Sequence, residues 1–178
     1  MLIKPDVQRF AKIKVMGLGG GGSNSLNSMI SLQQIQGVEF VSVNTDAQAL
    51  MNNQSPTKVQ IGETLTKGLG SGGDPEVGQQ AAEESTQKLQ DVLADADMVF
   101  LTAGMGGGTG TGSIPIVAQI AKSIGALTVA VVTKPFAFEG TRRMMVAEDG
   151  LEKLKDKVDA LIIIPNQKEA IAILDKIA

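Results

Sequence analysis

The sequence predicts an α/β fold: a doubly wound, mainly parallel β-sheet with helices on both faces. Short apolar runs of strand length alternate along the chain with segments whose apolar residues recur at helical spacing. Two of the runs, residues 126–133 (ALTVAVVT) and 160–164 (ALIII), are apolar almost throughout, as is typical of parallel strands covered on both faces. We therefore expect right-handed βαβ units that build one sheet.

Six segments have the length and composition of strands. The predicted strands are residues 12–18, 38–43, 57–61, 96–103, 126–133 and 160–164. The segments between them show helical periodicity or helix-start signals. The predicted helices are residues 23–34, 47–51, 75–93, 113–124, 138–158 and 167–177, with a possible break in the fifth at Gly150.

Local signals support several of these boundaries. Asp46 can cap the short helix that follows it, and Asp74-Pro75 places a capping side chain and a first-turn proline at the start of the next. Gly37 and Gly125 each end a helical pattern. The 178 residues suit one domain, and we expect residues 1–10 to be a flexible leader.

Three glycine-rich stretches fall where predicted strands end: residues 17–22 (GLGGGG), 62–73 and 104–112 (GMGGGTGTG). The carboxyl ends of parallel strands share one edge of a sheet, and ligands bind outside that edge. Glycine is favoured where bare backbone must approach a partner closely, and a helix N-terminus attracts anions. We interpret residues 104–112 as a phosphate cradle and the three loops as a backbone-lined trough, rather than as three long turns.

Composition excludes several kinds of chemistry. The chain has no cysteine and no histidine, which excludes disulfides, thiolate nucleophiles and the Ser-His-Asp triad. The net charge of -3 does not favour nucleic-acid binding. We see neither a signal peptide nor an apolar run of about 20 residues that would span a membrane, so we expect a soluble cytoplasmic protein.

The glycine loops match two known phosphate motifs poorly. A Walker loop needs a lysine after its last glycine, but Ser113 follows Gly112. Backbone N–H groups, helix dipoles and a cation would have to hold the phosphates instead, with hydroxyls from Thr109 and Thr111, which can alternatively cap the helix. Residues 17–22 also fit G-x-G-x-x-G, with Glu39 near the position of a ribose-binding carboxylate, so an NAD-dependent oxidoreductase remains an alternative.

Polar residues after three strands are further candidates. Asn44 and Asp46 flank a turn that is either a simple helix cap or a contact for Mg²⁺ or a γ-phosphate. Glu139 and Arg143 are spaced i, i+4, so they form either a surface ion pair or a grip on a ribose. Asn166 can read a base edge or cap a helix.

Taken together, these motifs resemble the FtsZ family, the bacterial relatives of tubulin. The resemblance covers about residues 11–176 and is carried by GLGGGGSN (17–24), VNTDAQAL (43–50), GLGSGGDPEVG (68–78), ADMVFLTAGMGGGTGTG (96–112), KPFAFEG (134–140) and IIIPN (162–166). It implies that residues 1–178 form a single GTP-binding domain that binds GTP or GDP with Mg²⁺.

The resemblance also implies roles for individual residues. Phosphate contacts would come from Gly20, Gly21, Gly22, Asn24, Gly104, Gly107, Gly108, Thr109 and Gly110. Glu139 and Arg143 would hold the ribose and Asn166 the guanine, with Asn44 and Asp46 near the γ-phosphate and the subunit contact. The implied partners are other FtsZ subunits in a head-to-tail filament at the division site, with no nucleic acid and no membrane insertion.

The family pattern continues beyond Ala178 with a central helix, an acidic loop that acts on the GTP of the neighbouring subunit, and a second domain. We therefore expect this chain by itself to bind GTP weakly if at all and to be inactive or nearly so in hydrolysis, with no catalytic residue of its own. The alternative from the same resemblance is a non-hydrolysing fragment that binds or caps FtsZ filaments.

Overall fold

Six parallel strands form one sheet in the computed structural model, which describes residues 10–33 and 35–164. The strands are β1 Ile13–Leu18, β2 Val38–Asn44, β3 Thr57–Gln60, β4 Met98–Gly104, β5 Leu127–Thr133 and β6 Ala160–Ile164. Their order is β3-β2-β1-β4-β5-β6, and every neighbouring pair is parallel. The predicted doubly wound sheet is confirmed. The strand order reverses between β1 and β4, and the carboxyl ends of these two strands are where such sheets bind ligands.

Helices connect the strands. They are α1 Gly19–Leu32, α2 Ala47–Met51, α3 Glu63–Thr66, α4 Pro75–Glu84, α5 Thr86–Leu93, α6 Thr109–Ser123 and α7 Thr141–Lys155, with a 3-10 turn at Ala137–Glu139. The larger buried core lies between the sheet and α4 to α7 and includes Met16, Leu101 and Ile114. A smaller cluster around Val15, Leu26 and Phe40 lies under α1. None of the described helices is long and apolar enough to cross a membrane.

Two helices begin four residues earlier than predicted. Some of the glycines expected to form loops lie instead in the first turns of α1 and α6, which start at Gly19 and Thr109, whereas Gly106 to Gly108 precede α6. The reason is packing. A Cβ on Gly22 would lie 2.3 Å from the carbonyl oxygen of Thr102, so only glycine lets α1 start this close to β4.

Three other boundaries differ from the predictions. The helix expected over residues 75–93 is divided at Ser85, whose hydroxyl accepts a hydrogen bond from the Gly62 N–H at 2.9 Å. The helix expected from residue 138 begins at Thr141, after Gly140 with φ 104°. It is not broken at Gly150, where a Cβ would lie 2.3 Å from the Thr111 methyl carbon. The predicted leader and the helix over residues 167–177 lie outside the described residues, apart from Phe10.

The contact between α4 and α6 depends on backbone meeting backbone. A Cβ on Gly112 would lie 2.0 Å from the Pro75 carbonyl oxygen, and one on Gly78 would lie 2.4 Å from the Gly108 carbonyl oxygen. Neither neighbouring atom belongs to a flexible side chain. The start of α6 is therefore held against the start of α4 with no room for a methyl group.

We expect Gly112→Ala to lower the free energy of unfolding by about 3 kcal/mol, because the new methyl overpacks two backbone segments. Urea denaturation measures this value. Gly20→Ala is the matched control: Gly20 also lies in the first turn of a helix, but its Cβ would meet nothing within 4 Å. A loss of less than about 0.5 kcal/mol for Gly112→Ala would show that the two helices separate easily.

Glu84, at the end of α4, makes the folded state depend on pH. Its carboxylate accepts hydrogen bonds from the Thr64 and Leu65 N–H groups at 3.0 and 3.1 Å, in the first turn of α3. These bonds hold the pKa of Glu84 below its ordinary value of 4.5. The stabilisation is therefore complete above that value and is lost as the pH falls through the lower pKa of the folded state.

We expect Glu84→Gln to be less stable than the unsubstituted chain at neutral pH, with a difference that shrinks as the pH falls below about 4.5. Urea denaturation as a function of pH measures both effects. Glu83→Gln is the control, since that carboxylate accepts from the Gln79 amide and not from α3. A difference that stays constant down to acidic pH would contradict the proposed role of the carboxylate.

Candidate functional site

A cleft of about 720 Å³ opens at the carboxyl ends of the strands. Ten of the predicted site residues line it: Gly20, Gly21, Asn24, Gly104, Gly107, Gly108, Thr109, Gly110, Glu139 and Arg143. Gly22 is buried behind the lining, and Asn166 lies outside the described residues. The predicted residues thus come together from α1, β4, α6 and the segment after β5.

The glycine loops touch each other through their backbones. A Cβ on Gly19 would lie 2.7 Å from the Gly110 nitrogen, and one on Gly21 would lie 2.9 Å from the Gly104 nitrogen. The loop between α3 and α4 closes in from the other side, where a Cβ on Gly108 would lie 2.2 Å from the Ser71 hydroxyl oxygen. The predicted trough of three glycine-rich segments on one edge is confirmed.

The starts of α1 and α6 both border this cleft. Neither helix has a side-chain capping hydrogen bond or an acidic residue in its first turn. The first N–H groups of a helix have no partner within the helix, and the helix dipole adds partial positive charge there. Two such ends beside exposed glycine backbone form a surface that suits a polyanion without a lysine in either loop.

The two threonines of residues 104–112 face different ways. Thr109 lines the cleft, and its hydroxyl bonds to that of Thr45 at 2.7 Å and donates to that of Ser71 at 3.0 Å. Thr111 is buried, and its hydroxyl accepts the Gly106 N–H at 2.9 Å. The expectation that both hydroxyls serve a phosphate is therefore wrong for Thr111, which instead packs against α7.

Asn44 and Asp46 lie beside the cleft but outside its lining. Asp46 caps α2, as predicted, by accepting the Ala49 N–H at 3.0 Å. Asn44 is buried at the end of β2, and its side-chain oxygen accepts the Asp46 N–H at 3.3 Å. Thr45, between them, is the residue whose side chain reaches α6.

Glu139 and Arg143 form an ion pair of 2.6 Å on the far side of the cleft. The pair spans the junction between the 3-10 turn and α7, so the two residues do not share one continuous helix as the spacing had suggested. The Glu139 carboxylate also accepts the Phe136 N–H at 3.0 Å, which fixes its position. Both side chains line the cleft, where the guanidinium remains half exposed.

Several lining residues were not identified from the sequence. Ser71 is the only side chain with a hydrogen-bonding group in the run GLGSGG, and that contrast with its glycine neighbours was an available signal. Lys134 and Phe136 directly follow β5, where position at a strand end was the available signal. Lys134 adds a second positive charge to the cleft, where the sequence had predicted only the charge of Arg143.

Glu39 lies at the opposite end of the sheet. It pairs in register with Lys14, near the amino ends of β1 and β2, and its carboxylate is 3.1 Å from the Lys14 ammonium. Asp95 contacts the same ammonium at 2.7 Å. Burial lowers the pKa of Lys14, but the hydrogen bonds that its ammonium donates to the Asp95 and Glu39 carboxylates outweigh burial and raise it. Glu39 is therefore no ribose ligand of this cleft, which removes one of the two features that favoured an NAD enzyme and leaves only the G-x-G-x-x-G match of residues 17–22.

The comparisons with known proteins agree with this geometry. The family model described as "Tubulin/FtsZ family, GTPase domain" matches residues 12–172. The cell division protein FtsZ of Coxiella burnetii is 58% identical over 158 residues, which are 89% of this chain and 41% of that protein. The FtsZ of Pseudomonas aeruginosa is 55% identical over 163 residues, or 92% of this chain and 41% of that protein.

Solved structures show the same likeness. A structure titled as an empty FtsZ dimer from M. jannaschii superposes with a TM-score of 0.87 at 52% identity, over 90% of this chain and 47% of that one. A GTPγS-bound CetZ2 protofilament from Haloferax volcanii gives 0.80 at 27% identity, over 88% of this chain and 49% of that one. The chain spans about two fifths of the length of the curated relatives it matches. It belongs to the Tubulin/FtsZ family, and the part of that family it matches is the GTPase domain.

Proposed function

We propose that this chain is the GTP-binding domain of an FtsZ-type, self-assembling cell-division GTPase. The observation that carries the proposal is the pair of uncapped helix starts, α1 and α6, that share one glycine-lined cleft with the Glu139–Arg143 pair at its far side. Such a cleft matches a ligand with several phosphates at one end and a polar, neutral sugar at the other. The family match supports GTP or GDP as that ligand.

Each part of the nucleotide has a matching part of the cleft in this proposal. Backbone N–H groups of Gly20, Gly21 and Gly107 to Gly110 hold the phosphates, with Asn24, Gly104 and Thr109 beside them and Gly22 setting the spacing from behind. The Glu139 carboxylate accepts from ribose hydroxyls while Arg143 donates to the ribose. Asn166 reads the guanine in the family pattern.

Phosphate oxygens of the nucleotide, more than protein side chains, would hold Mg²⁺ in this cleft. Among the described lining residues, Glu139 carries the only carboxylate, and it is already bonded to Arg143 and to the Phe136 N–H. Magnesium keeps several waters and binds readily to phosphate oxygens. In our proposal the ion arrives on the triphosphate, whose charge it partly neutralises, with Asn44 and Asp46 nearest to it.

Hydrolysis requires a group that orients water towards the γ-phosphate. The described part of the cleft holds no unpaired carboxylate for this task. We infer that acidic residues of a neighbouring subunit supply it when subunits stack head to tail. The titles of two matched structures, a dimer and a protofilament, describe such assembly for those relatives. The setting we propose is the cytoplasm, at the division site.

We expect GTP at 100 times its Kd to raise the midpoint of thermal unfolding by roughly 5 to 10 °C, because ligand binding stabilises only the folded state. Differential scanning fluorimetry measures the shift. NAD at the same concentration should produce none, since Glu39 is not at the cleft. A shift with NAD but not with GTP would overturn the proposed function.

Two substitutions in α7 test whether GTP binds beside Arg143. Arg143→Gln should weaken GTP binding about tenfold through the loss of a charged hydrogen-bond donor. Lys155→Gln is the control, because Lys155, like Arg143, lies on α7 and pairs with a glutamate, but it does not line the cleft. Equal affinities for both variants would place the ligand away from Arg143.

We expect the isolated chain to bind GTP but to hydrolyse it at least about 100 times more slowly than the same chain stacked against a complete FtsZ subunit, which supplies the missing electrostatic stabilisation. Phosphate release measures the rate. The added subunit is P. aeruginosa FtsZ with a disabled nucleotide cleft, so that turnover reports on this chain's cleft. A full rate without the added subunit would contradict the inference that the acidic group comes from a neighbour.

A further inference from the structure

Strand β6 ends the sheet on one side, and among the described strands it has a neighbour, β5, along only one of its edges. The backbone N–H and C=O groups that point away from β5 therefore lack a strand partner. All five residues of β6 are apolar, and Ile162, Ile163 and Ile164 are 52%, 42% and 41% exposed. An exposed, apolar edge strand is a template for pairing with another strand.

The opposite edge of the sheet is protected against such pairing. β3 has only four residues, follows Pro56, and carries an exposed lysine, Lys58, at its second position. Short edge strands, lysine and proline are the means by which natural sheets block edge-to-edge contacts. β6 contains neither a lysine nor a proline. The two edges therefore differ in what their sequences allow.

The apolar surface of β6 continues onto β5 on one face of the sheet. Leu161 packs against the larger core, on the side of α4 to α7. Side chains alternate along a strand, so Ile162 and Ile164 face the opposite side. Val131, the partner of Ile162 on β5, is only partly buried, and Leu127 on the same face is 51% exposed. The edge is thus bordered by an apolar face that a second sheet could extend.

A second copy of the chain fits this edge without bringing like charges together. A twofold axis perpendicular to the sheet sets two copies of β6 antiparallel and places each Ile162 opposite the same residue of the other copy. No charged side chain lies within the strand. Asp159, which precedes it, accepts the Thr128 N–H at 2.8 Å and pairs with Lys122 at 3.2 Å. Apolar pairs across antiparallel strands are stabilising, and like charges at such positions are not.

We propose that β6 is a self-association surface, at which two copies of this chain pair antiparallel and join their sheets into one continuous sheet. The paired edge lies at the side of the sheet, whereas the cleft opens at the carboxyl ends of the strands. β6 shares only its last residue, Ile164, with the described lining of the cleft. The pairing needs no nucleotide, so it is distinct from head-to-tail stacking and does not rest on the proposed function.

Sedimentation equilibrium of the nucleotide-free, 178-residue chain tests the proposal. We expect the average mass to rise with concentration from 18.5 kDa, the mass of one chain, to twice that value. Ile162→Lys should raise the dimer dissociation constant at least about tenfold, because two like charges would face each other across the twofold axis. Ile162→Val keeps an apolar, β-branched side chain and should still dimerise.

Leu32→Lys is the matched control, since Leu32 is a comparably exposed apolar residue, at 64%, but lies at the end of α1 and not in the sheet. It should leave the dissociation constant unchanged. Amide hydrogen exchange of the unsubstituted chain gives a second measurement, which decides the question even if Ile162→Lys fails to fold. The β6 amides should exchange more slowly at concentrations where the dimer forms, while the β3 amides should not change.

Three results would overturn the proposal. The first is a chain that stays monomeric at every concentration, including a monomer whose β6 amides are already protected by another segment of the same chain. The second is a dimer that a folded Ile162→Lys variant leaves intact. The third is a dimer whose formation does not change hydrogen exchange in β6.

Discussion

Backbone-to-backbone packing at the carboxyl edge of the sheet is the constraint on which the rest of the structure depends. The starts of α1 and α6 and the end of β4 approach each other through Gly19, Gly21, Gly104 and Gly110. These distances leave no room for a Cβ on Gly19 or Gly21. Side chains would push the helices apart and separate the two sets of N–H groups. The same feature that packs the domain also forms the cleft, so stability and binding cannot be varied independently here.

The sheet and its ligand edge were predictable because their signals are local. Segments of strand length and composition identified all six strands of the described residues, and Asp46 and Asp74 marked helix starts that the structure confirms. Helix starts within glycine runs were not predictable. Glycine has a low helix propensity, and the need for glycine at these positions comes from the close approach of distant segments, such as Thr102 behind Gly22. The break at Ser85 likewise depends on Gly62, 23 residues away.

The site residues, too, were predictable in part: their position at the sheet edge could be predicted, but the direction of their side chains could not. Strand ends brought ten predicted residues into one lining, because parallel strands share an edge. Side-chain direction could not be obtained in this way. Thr109 and Thr111 are two residues apart in one helix, so they point in different directions, one into the cleft and one towards Gly150. Glu39 shows a different error: its strand was predicted correctly, but the residue lies at the amino end of that strand, away from the cleft.

The ionic cluster of Lys14, Glu39 and Asp95 has a consequence for the whole domain. It lies at the amino ends of the strands, a strand length of roughly 20 Å from the cleft. At physiological ionic strength, exposed charges are screened over about 8 Å. The exposed carboxylates of Glu39 and Asp95 at one end are thus largely screened from the cleft at the other end, where peptide dipoles stand beside Lys134, Glu139 and Arg143. Surface charge at the amino end can drift without changing what the cleft attracts.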